Sequence, residues 1–318
     1  MNNSYPKISI VVPVKNGIDT LERLIKGVEI QSLFNITEVV IIDSGSTDGS
    51  IDYVSKFPFV NVVAIDPKTF NHGATRNLAV KHCKGEFVLM TVQDAWTTDK
   101  RLLERMVSHF DDKEVMGVCG HQVVPHIKEF NPHQWYRPQN EAIPKFVQFE
   151  KGEFDNLSPK EQFSFCGWDD VISMYRKSAL IEIPFLKTDF AEDLLWAKHT
   201  LRAGHKIVYD RRNMVNHYHH YFPEYVYKRI FVEKYAIYKH FGYHLDASVP
   251  LYKYFNLLLS NLKWKMNPYW FFFNFRALRA RNEANHLFDV SLAKGDAYLD
   301  KMYQEVCGVI PQGRINKK

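Results

Sequence analysis

Cysteine is scarce: Cys83, Cys119, Cys166 and Cys307 lie far apart in a chain of 318 residues, with no C-x-x-C pair. That spacing argues against a disulfide framework or a cysteine zinc site and predicts reduced thiols in a cytosolic protein. The triplet G-x-G does not occur, which removes the dinucleotide fingerprint and with it a nucleotide-binding dehydrogenase. No acid lies between residues 251 and 281, and the longest uncharged stretch there, "MNPYWFFFNF", has ten residues, too few to span a bilayer. The start, "MNNSYPKISIVV", enters strand-like sequence without the basic, apolar and cleavage regions of an export signal, so none is expected. Internal repeats and low-complexity tracts are also missing.

What is present is a globular composition. Hydrophobic residues make up 46%, aromatic 14% and charged 24%, enough to bury a large core in one domain or two. The net charge of +5 is uneven: residues 221–318 hold 15 Lys/Arg against 8 Asp/Glu, about +7, leaving about −2 on residues 1–220. Such a split suggests two regions that meet different partners.

Strand and helix alternate over the first 120 residues. "ISIVVPV" (8–14) and "EVVIID" (38–43) are apolar runs of the kind buried on both faces of a parallel sheet. Leu21, Leu24, Ile25 and Val28 follow the first run at helical spacing. "VNVVAI" (60–65), residues 86–92 and "VMGVCGHQVV" (115–124) read as further strands, with helices over 74–83 and 99–110. The series predicts an open α/β sheet whose ligands gather at the carboxyl ends of the strands. Residues 125–165 lose periodicity and read as an excursion over that edge. Strand and helix resume over 171–180, a helix over 192–203 ends at Gly204, and "KIVYD" and "MVNHYHH" read as two short strands. From about residue 221 the chain reads helical, aromatic and basic.

Acidic groups stand where strands stop. Asp43 opens "DSGSTDGS", either as a turn cap or as a ligand group, and Thr47-Asp48 can cap the next helix. The strand 86–92 runs into Gln93 and Asp94. Asp94 either caps the following helix or offers oxygen to a hard divalent cation whose shell a diphosphate and a second side chain complete. In "FNHGATRN" (70–77), Gly73 can take positive φ or admit a ligand to the backbone. Arg76 and Asn77, in the first turn of a helix, suit an anion and a base or ribose, unless the turn is only a solvated surface. Glu192 and Asp193 open another helix, where one compensates the helix dipole and the other can serve as a general base. His217 and His219, two apart, would share one side of a strand, as metal ligands or as structural residues.

Taken in order, "ISIVVPVKNG" (8–17), "IIDSGSTDGS" (41–50), "FNHGATRNLA" (70–79), "TVQDA" (91–95), "DFAEDLLWAKHTLRAGHKIVYD" (189–210) and "NHYHH" (216–220) resemble a known family. They look like inverting glycosyltransferases of the GT-A fold, glycosyltransferase family 2, and most of all the rhamnosyltransferase branch. The resemblance covers roughly residues 7–235. It implies a Rossmann-like α/β nucleotide-diphospho-sugar transferase domain over 1–220, followed by a basic, aromatic, mainly helical region over 221–318. By the same resemblance Pro13 and Asp43 hold the base, and Arg76, Asn77 and Gln93 meet the nucleotide. Asp94 and His217 bind Mg²⁺ or Mn²⁺, and Asp193 is the catalytic base. The implied activity moves a sugar, with L-rhamnose from dTDP-L-rhamnose the expected donor, onto a saccharide acceptor in bacterial surface polysaccharide such as O-antigen or capsule.

Two stretches depart from the family pattern: "WTTD" after Ala95, and "FCGWDD" (165–170) on the acceptor side. Trp168 can stack on a sugar ring or lie in the core, while Asp169, Asp170 and Glu192 can meet acceptor hydroxyls. Transfer of another hexose from a UDP-sugar is the alternative activity, and a catalytically silent nucleotide-sugar-binding protein the alternative class; turnover separates them.

Residues 251–281 carry ten aromatics and six Lys/Arg. Cations among aromatics suit the interface of an anionic membrane, and hence a lipid-linked saccharide acceptor. This predicts a cytoplasmic protein, peripheral on the inner face of the bacterial cell membrane. The alternative is a helical subdomain packed on the catalytic domain or on a second subunit of a homo-oligomer. No nucleic-acid recognition motif accompanies the basic residues, so nucleic acid is not an expected partner.

Overall fold

In the computed structural model the apolar runs form the centre of an eight-stranded sheet; the structure describes residues 7–138, 143–188 and 190–307. The expectation about a leader therefore lies partly outside the described residues, as do the middle of the excursion and the side chain of Cys307. The strands are β1 (Ile8–Val14), β2 (Thr37–Asp43), β3 (Val60–Ala64), β4 (Phe87–Thr91), β5 (Val115–Val123), β6 (Lys145–Val147), β7 (Ile172–Arg176) and β8 (Lys206–Asn216). Their order across the sheet is β3-β2-β1-β4-β7-β5-β8-β6. The mixed α/β architecture agrees with the fold that the resemblance implied.

Burial explains the composition of each strand. β2 and β4 are buried along their whole length and β1 nearly so, which is why they read as Val/Ile runs rather than alternations. The polar exceptions satisfy one another: Ser9 Oγ donates to Glu38 Oε1 at 2.7 Å, and Lys84 N and Gly85 N close the pair at 2.6 and 2.8 Å. β3, at the sheet edge, is only half-buried. Against the sheet lie α1 (Ile18–Glu29), α2 (Ser50–Val54), α3 (His72–His82), α4 (Leu102–Ser108), α5 (Pro159–Phe165), α6 (Lys177–Glu182) and α7 (Glu192–Arg202). Leu21, Leu24, Ile25 and Val28 form the buried face of α1, as their spacing predicts. Cys83, Cys119 and Cys166 are buried and free, and burial pushes the Cys83 and Cys166 thiols up to about 12.

Strand direction decides which loops meet. β1 to β4 are mutually parallel, and β5 pairs parallel with β8, but β7 between them runs antiparallel to both β4 and β5. The start of β7 therefore falls on the same edge as the ends of β1, β2, β4, β5 and β8. Register confirms this, with Thr91 opposite Ile172 and Val123 opposite Asn216. Asp169 and Asp170, just before β7, thus reach the carboxyl edge.

Two elements differ from the sequence reading. "KIVYD" and "MVNHYHH" are not two strands: β8 is one strand of 11 residues, with the histidines beyond its end. The charged interruption survives inside it because Asp210, fully buried, accepts from Arg212 Nε at 2.8 Å and lies 2.8 Å from His109 Nε2. Those partners hold Asp210 down at about 2, despite a burial cost that acts the other way. The helix placed at 74–83 begins at His72, because Asn71 caps it: its Oδ1 accepts from Ala74 N at 3.1 Å. Arg76 and Asn77 consequently sit in the second turn.

Contacts divide the chain into two units, Met1–Pro125 with Tyr136–Tyr218, and His126–Trp135 with His219–Lys318. The excursion of 125–165 is shared between them. The second unit is built on α8 (Pro223–Phe241), α9 (Leu251–Lys263), α10 (Pro268–Ala293) and α11 (Asp296–Cys307). Phe231 packs on Phe288 and Tyr235 stacks on Tyr303 at 4.0 Å, while buried Lys234 donates to Asp289 Oδ1 at 2.7 Å. On α9 only Leu257 and Asn261 are buried. Leu251, Phe255 and Leu262 are 86, 60 and 65% exposed, so the apolar face of this helix turns outward. Among the described residues no helix is long and apolar enough to cross a membrane.

Candidate active site

At the carboxyl edge the loop after β1 and the loop after β2 interlock. Thr47 N donates to Asn16 Oδ1 at 2.8 Å, Asn16 N to Ser46 Oγ at 2.9 Å, Gly17 N to Ser50 Oγ at 2.8 Å and Ile18 N to Asp48 Oδ2 at 3.0 Å. Asn16 takes φ 50°, a conformation asparagine tolerates, to complete the turn. Asp43 organises its own loop, accepting from Ser46 Oγ at 2.6 Å and from the amides of Gly45 and Ser46. Pro13, one residue before the end of β1, lies opposite Ile42. Gln93 ties the end of β4 to this loop, since its Oε1 accepts from Lys15 N at 2.8 Å and its Nε2 donates to Lys15 O at 3.3 Å. The Gln93 amide, the expected nucleotide contact, is engaged with the Lys15 backbone.

Asp94 and His217 come together across the sheet. Trp96 and Asn216 form an isolated antiparallel bridge, with amide-to-carbonyl distances of 3.0 and 2.7 Å. The bridge lies two residues after Asp94 and one before His217, and it sets Asp94 Oδ1 3.5 Å from His217 Nε2. That separation is long for a hydrogen bond. Metal bonds of about 2.1–2.3 Å place neighbouring ligand atoms roughly 3 to 3.5 Å apart. A carboxylate oxygen and an imidazole nitrogen, both largely buried, thus fit a divalent cation. His219 falls in the second unit.

The third part is a buried cluster around Asp193. Arg76 Nε lies 2.8 Å from Asp170 Oδ2, and Arg76 also pairs with Glu192. Tyr175 donates to Asp170, and Trp168 Nε1 donates to Tyr175 Oη at 2.7 Å. Asp193 accepts from Leu194 N at 2.8 Å and Asp170 N at 3.3 Å. Burial raises the Asp193 carboxyl well above its ordinary value, and the Glu192 and Asp170 carboxylates reinforce the rise. Burial likewise lifts Asp170 to about 7, against the pull of Arg76 and Tyr175. Arg76 stays charged: the Glu192 and Asp170 carboxylates raise it despite the burial penalty.

The stretch "FNHGATRN" is the mount for this cluster. Asn71 Nδ2 donates to Thr188 O at 2.8 Å, and Asn77 clasps Phe185 by both backbone groups, at 2.8 and 3.0 Å. Gly73 is helical, and a Cβ there would stand 2.0 Å from Leu186 O. What approaches its backbone is this loop, not a ligand. Beyond the clasp, Ala191 adopts φ 68°, a conformation costing about 1–3 kcal/mol outside glycine, and presents Glu192 and Asp193 at the start of α7.

These partners engage several of the expected ligands. Arg76 faces carboxylates and Asn77 faces the Phe185 backbone. Trp168 is 2% exposed and packs against Trp196, Tyr175 and Tyr209; it is core, not a sugar platform. Asp170 and Glu192 are buried against Arg76 rather than open to acceptor hydroxyls. Asp169 stays half-buried at the edge, where Gln122 Nε2 donates to its Oδ2 at 2.6 Å. The sequence reading missed Gln122, Tyr175, Ala191 and the Trp96 bridge. For Gln122 there was a signal, a lone amide near the end of an apolar strand, as with Gln93.

A family model described as glycosyl transferase family 2 matches residues 9–183. The chain is 29% identical to the O-antigen chain rhamnosyltransferase RfbN of Salmonella typhimurium over 228 residues, covering 71% of this chain and 70% of that protein. It is 33% identical to the O-antigen chain rhamnosyltransferase WbaN of Salmonella anatum over 199 residues, 61% of each. Among solved structures, the mannosyltransferase PcManGT of Pyrobaculum calidifontis, in complex with GDP-Man and Mn²⁺, superimposes with a TM-score of 0.53 at 15% identity, covering 98% of this chain and 82% of that one.

Proposed function

The chain belongs to glycosyl transferase family 2 and is a glycosyltransferase, and from that premise we propose that it transfers L-rhamnose from dTDP-L-rhamnose to a saccharide acceptor in bacterial surface polysaccharide, with inversion. The sugar assignment is supported by the two O-antigen rhamnosyltransferase relatives. The observation that carries the chemistry is the half-buried Asp193, presented at the start of α7 and held by the amides of Leu194 and Asp170. Asp193 takes the proton of the acceptor hydroxyl. The freed oxygen attacks the anomeric carbon, and the bond to the nucleoside diphosphate breaks on the opposite face. Its raised pKa suits a base that must accept a proton near neutral pH.

The nucleotide lies over the interlocked loops, with Pro13 and Asp43 at its base. Asp94 and His217 would hold the divalent cation; when bound, such an ion neutralises charge building on the departing diphosphate. The mixed oxygen and nitrogen pair favours Mn²⁺ over Mg²⁺. Asp169 is the carboxylate left to meet acceptor hydroxyls.

Through the outward face of α9, with Lys253, Lys263 and Lys265 beside Leu251, Phe255, Leu262 and Trp264, the protein rests on an anionic bilayer. That places it peripherally on the cytoplasmic face of the membrane, next to a lipid-linked acceptor.

The test is release of nucleoside diphosphate from dTDP-L-rhamnose and from a panel of UDP- and GDP-sugars, with Mn²⁺ or with EDTA, using Asp193→Asn as control. Metal-dependent release from dTDP-L-rhamnose alone, lowered about 10²–10⁴-fold in the variant with donor affinity kept, is the expected result. Preference for a UDP-sugar would overturn the sugar assignment and leave the mechanism standing.

A further inference from the structure

His217 does not stand alone behind Asp94. Its Nδ1 lies 2.6 Å from Gln122 Oε1, and Gln122 Nε2 lies 2.6 Å from Asp169 Oδ2. Asp169 is itself fixed, accepting from Val171 N at 3.0 Å through Oδ1 and from Ser173 Oγ at 2.7 Å through its backbone carbonyl. The His217 amide is anchored too, donating to Val123 O at 2.9 Å. A line of polar atoms therefore runs from the loop before β7, across the end of β5, to the histidine after β8.

Charge logic orients every group in that line. An ionised carboxylate only accepts, so the Gln122 amide must turn its NH₂ to Asp169. Its oxygen then faces His217, and an amide oxygen also only accepts, so Nδ1 must carry the hydrogen. Flipping the amide would set oxygen against carboxylate and an N–H against His217 Nδ1, and Asp169 forbids it. With Nδ1 protonated, the lone pair of the neutral imidazole lies on Nε2, the atom 3.5 Å from Asp94 Oδ1. We propose that Gln122 and Asp169 form a positioning relay that fixes the tautomer and ring orientation of His217, so that Nε2 and Asp94 together receive the divalent cation. The relay does the work that a carboxylate does directly behind many metal-binding histidines, with an amide as spacer. It rests on the cation reading of Asp94 and His217, and it gives Asp169 a role in that arm of the site as well as toward the acceptor.

Two measurements on the full chain test it. Long-range ¹⁵N NMR of the metal-free protein reads the His217 tautomer directly. Mn²⁺ titration followed by electron paramagnetic resonance reads the affinity. Gln122→Leu, a change at an exposed side chain, should turn the Nδ1–H form into a tautomer mixture and weaken Mn²⁺ binding about 10–100-fold. The paired change Gln122→Glu with Asp169→Asn, in which the new carboxylate accepts from the new amide and from Nδ1–H, should keep the tautomer. Asp169→Asn, which frees the amide to flip, should loosen it. An unchanged tautomer in Gln122→Leu overturns the relay, and so does a changed tautomer with parental Mn²⁺ affinity. If the parent protein itself binds no Mn²⁺, the cation reading fails, whereas the tautomer shift still reports whether the relay exists.

Discussion

Replacing Arg76 by methionine leaves Asp170, Glu192 and Asp193 together without the cation that two of them contact. All three partners of the ion network are at least nine-tenths buried, so solvent does little to screen the loss. Removing one partner of a buried ion pair costs about 3–5 kcal/mol. At about 2–4 °C per kcal/mol for a unit of this size, that is a fall in Tm of roughly 6–20 °C at pH 8. The deficit should depend on pH in one direction. Without Arg76 the folded-state pKa values of Asp170 and Asp193 rise further above the unfolded value of about 3.9. A carboxyl raised in the folded state contributes stability that is present at low pH and lost as pH climbs through that window. The gap between Arg76→Met and the parent should therefore be small near pH 4 and widen toward pH 8. Arg76→Lys, which keeps the charge and loses the fork, should fall between them. Thermal unfolding of the three proteins from pH 4 to 8 is the assay. A variant within about 2 °C of the parent at pH 8, or a gap that widens on acidification, would refute the charge-balance account of the cluster.

Three further outcomes follow from the same geometry. Because Asp193 must be ionised to act, kcat/KM should fall as pH drops through a pKa well above the ordinary carboxylate range; Glu192→Gln, which removes one of the repelling charges, should move that limb to lower pH, and a limb that stays or rises would contradict the assignment. Gly73→Ala puts a methyl 2.0 Å from Leu186 O, so a loss of about 1–3 kcal/mol in urea unfolding is expected, and a neutral substitution would show that the clasp on residues 185–188 is loose. The triple change Leu251→Gln, Phe255→Gln, Leu262→Gln should abolish co-flotation with phosphatidylglycerol vesicles while leaving turnover on a soluble acceptor intact. If the parent fails to float and the triple change instead lowers its sedimenting mass, the α9 face is a contact between copies of this chain.

The buried strands were legible in the sequence because burial on both faces writes an uninterrupted Val/Ile run, as in β1, β2 and β4. α1 was legible for the same kind of reason, since its four core residues recur at the helical period. Asp94 and Asp193 stood out as acids beside apolar elements, and the family resemblance supplied the order in which to read them. Facing was another matter. Nothing local distinguishes an arginine that points at a phosphate from one that points at Glu192, which is 116 residues away. The antiparallel insertion of β7 brings Asp169 and Asp170 to the carboxyl edge, and the bridge between Trp96 and Asn216 sets Asp94 beside His217. Sequence by itself determined the alternation of elements, the acids at their ends and the basic aromatic tail, because periodicity and charge are properties of neighbouring residues. Only the tertiary structure decided which of those groups meet at the carboxyl edge and which pair with one another, because strand direction and long-range register choose each side chain's partner.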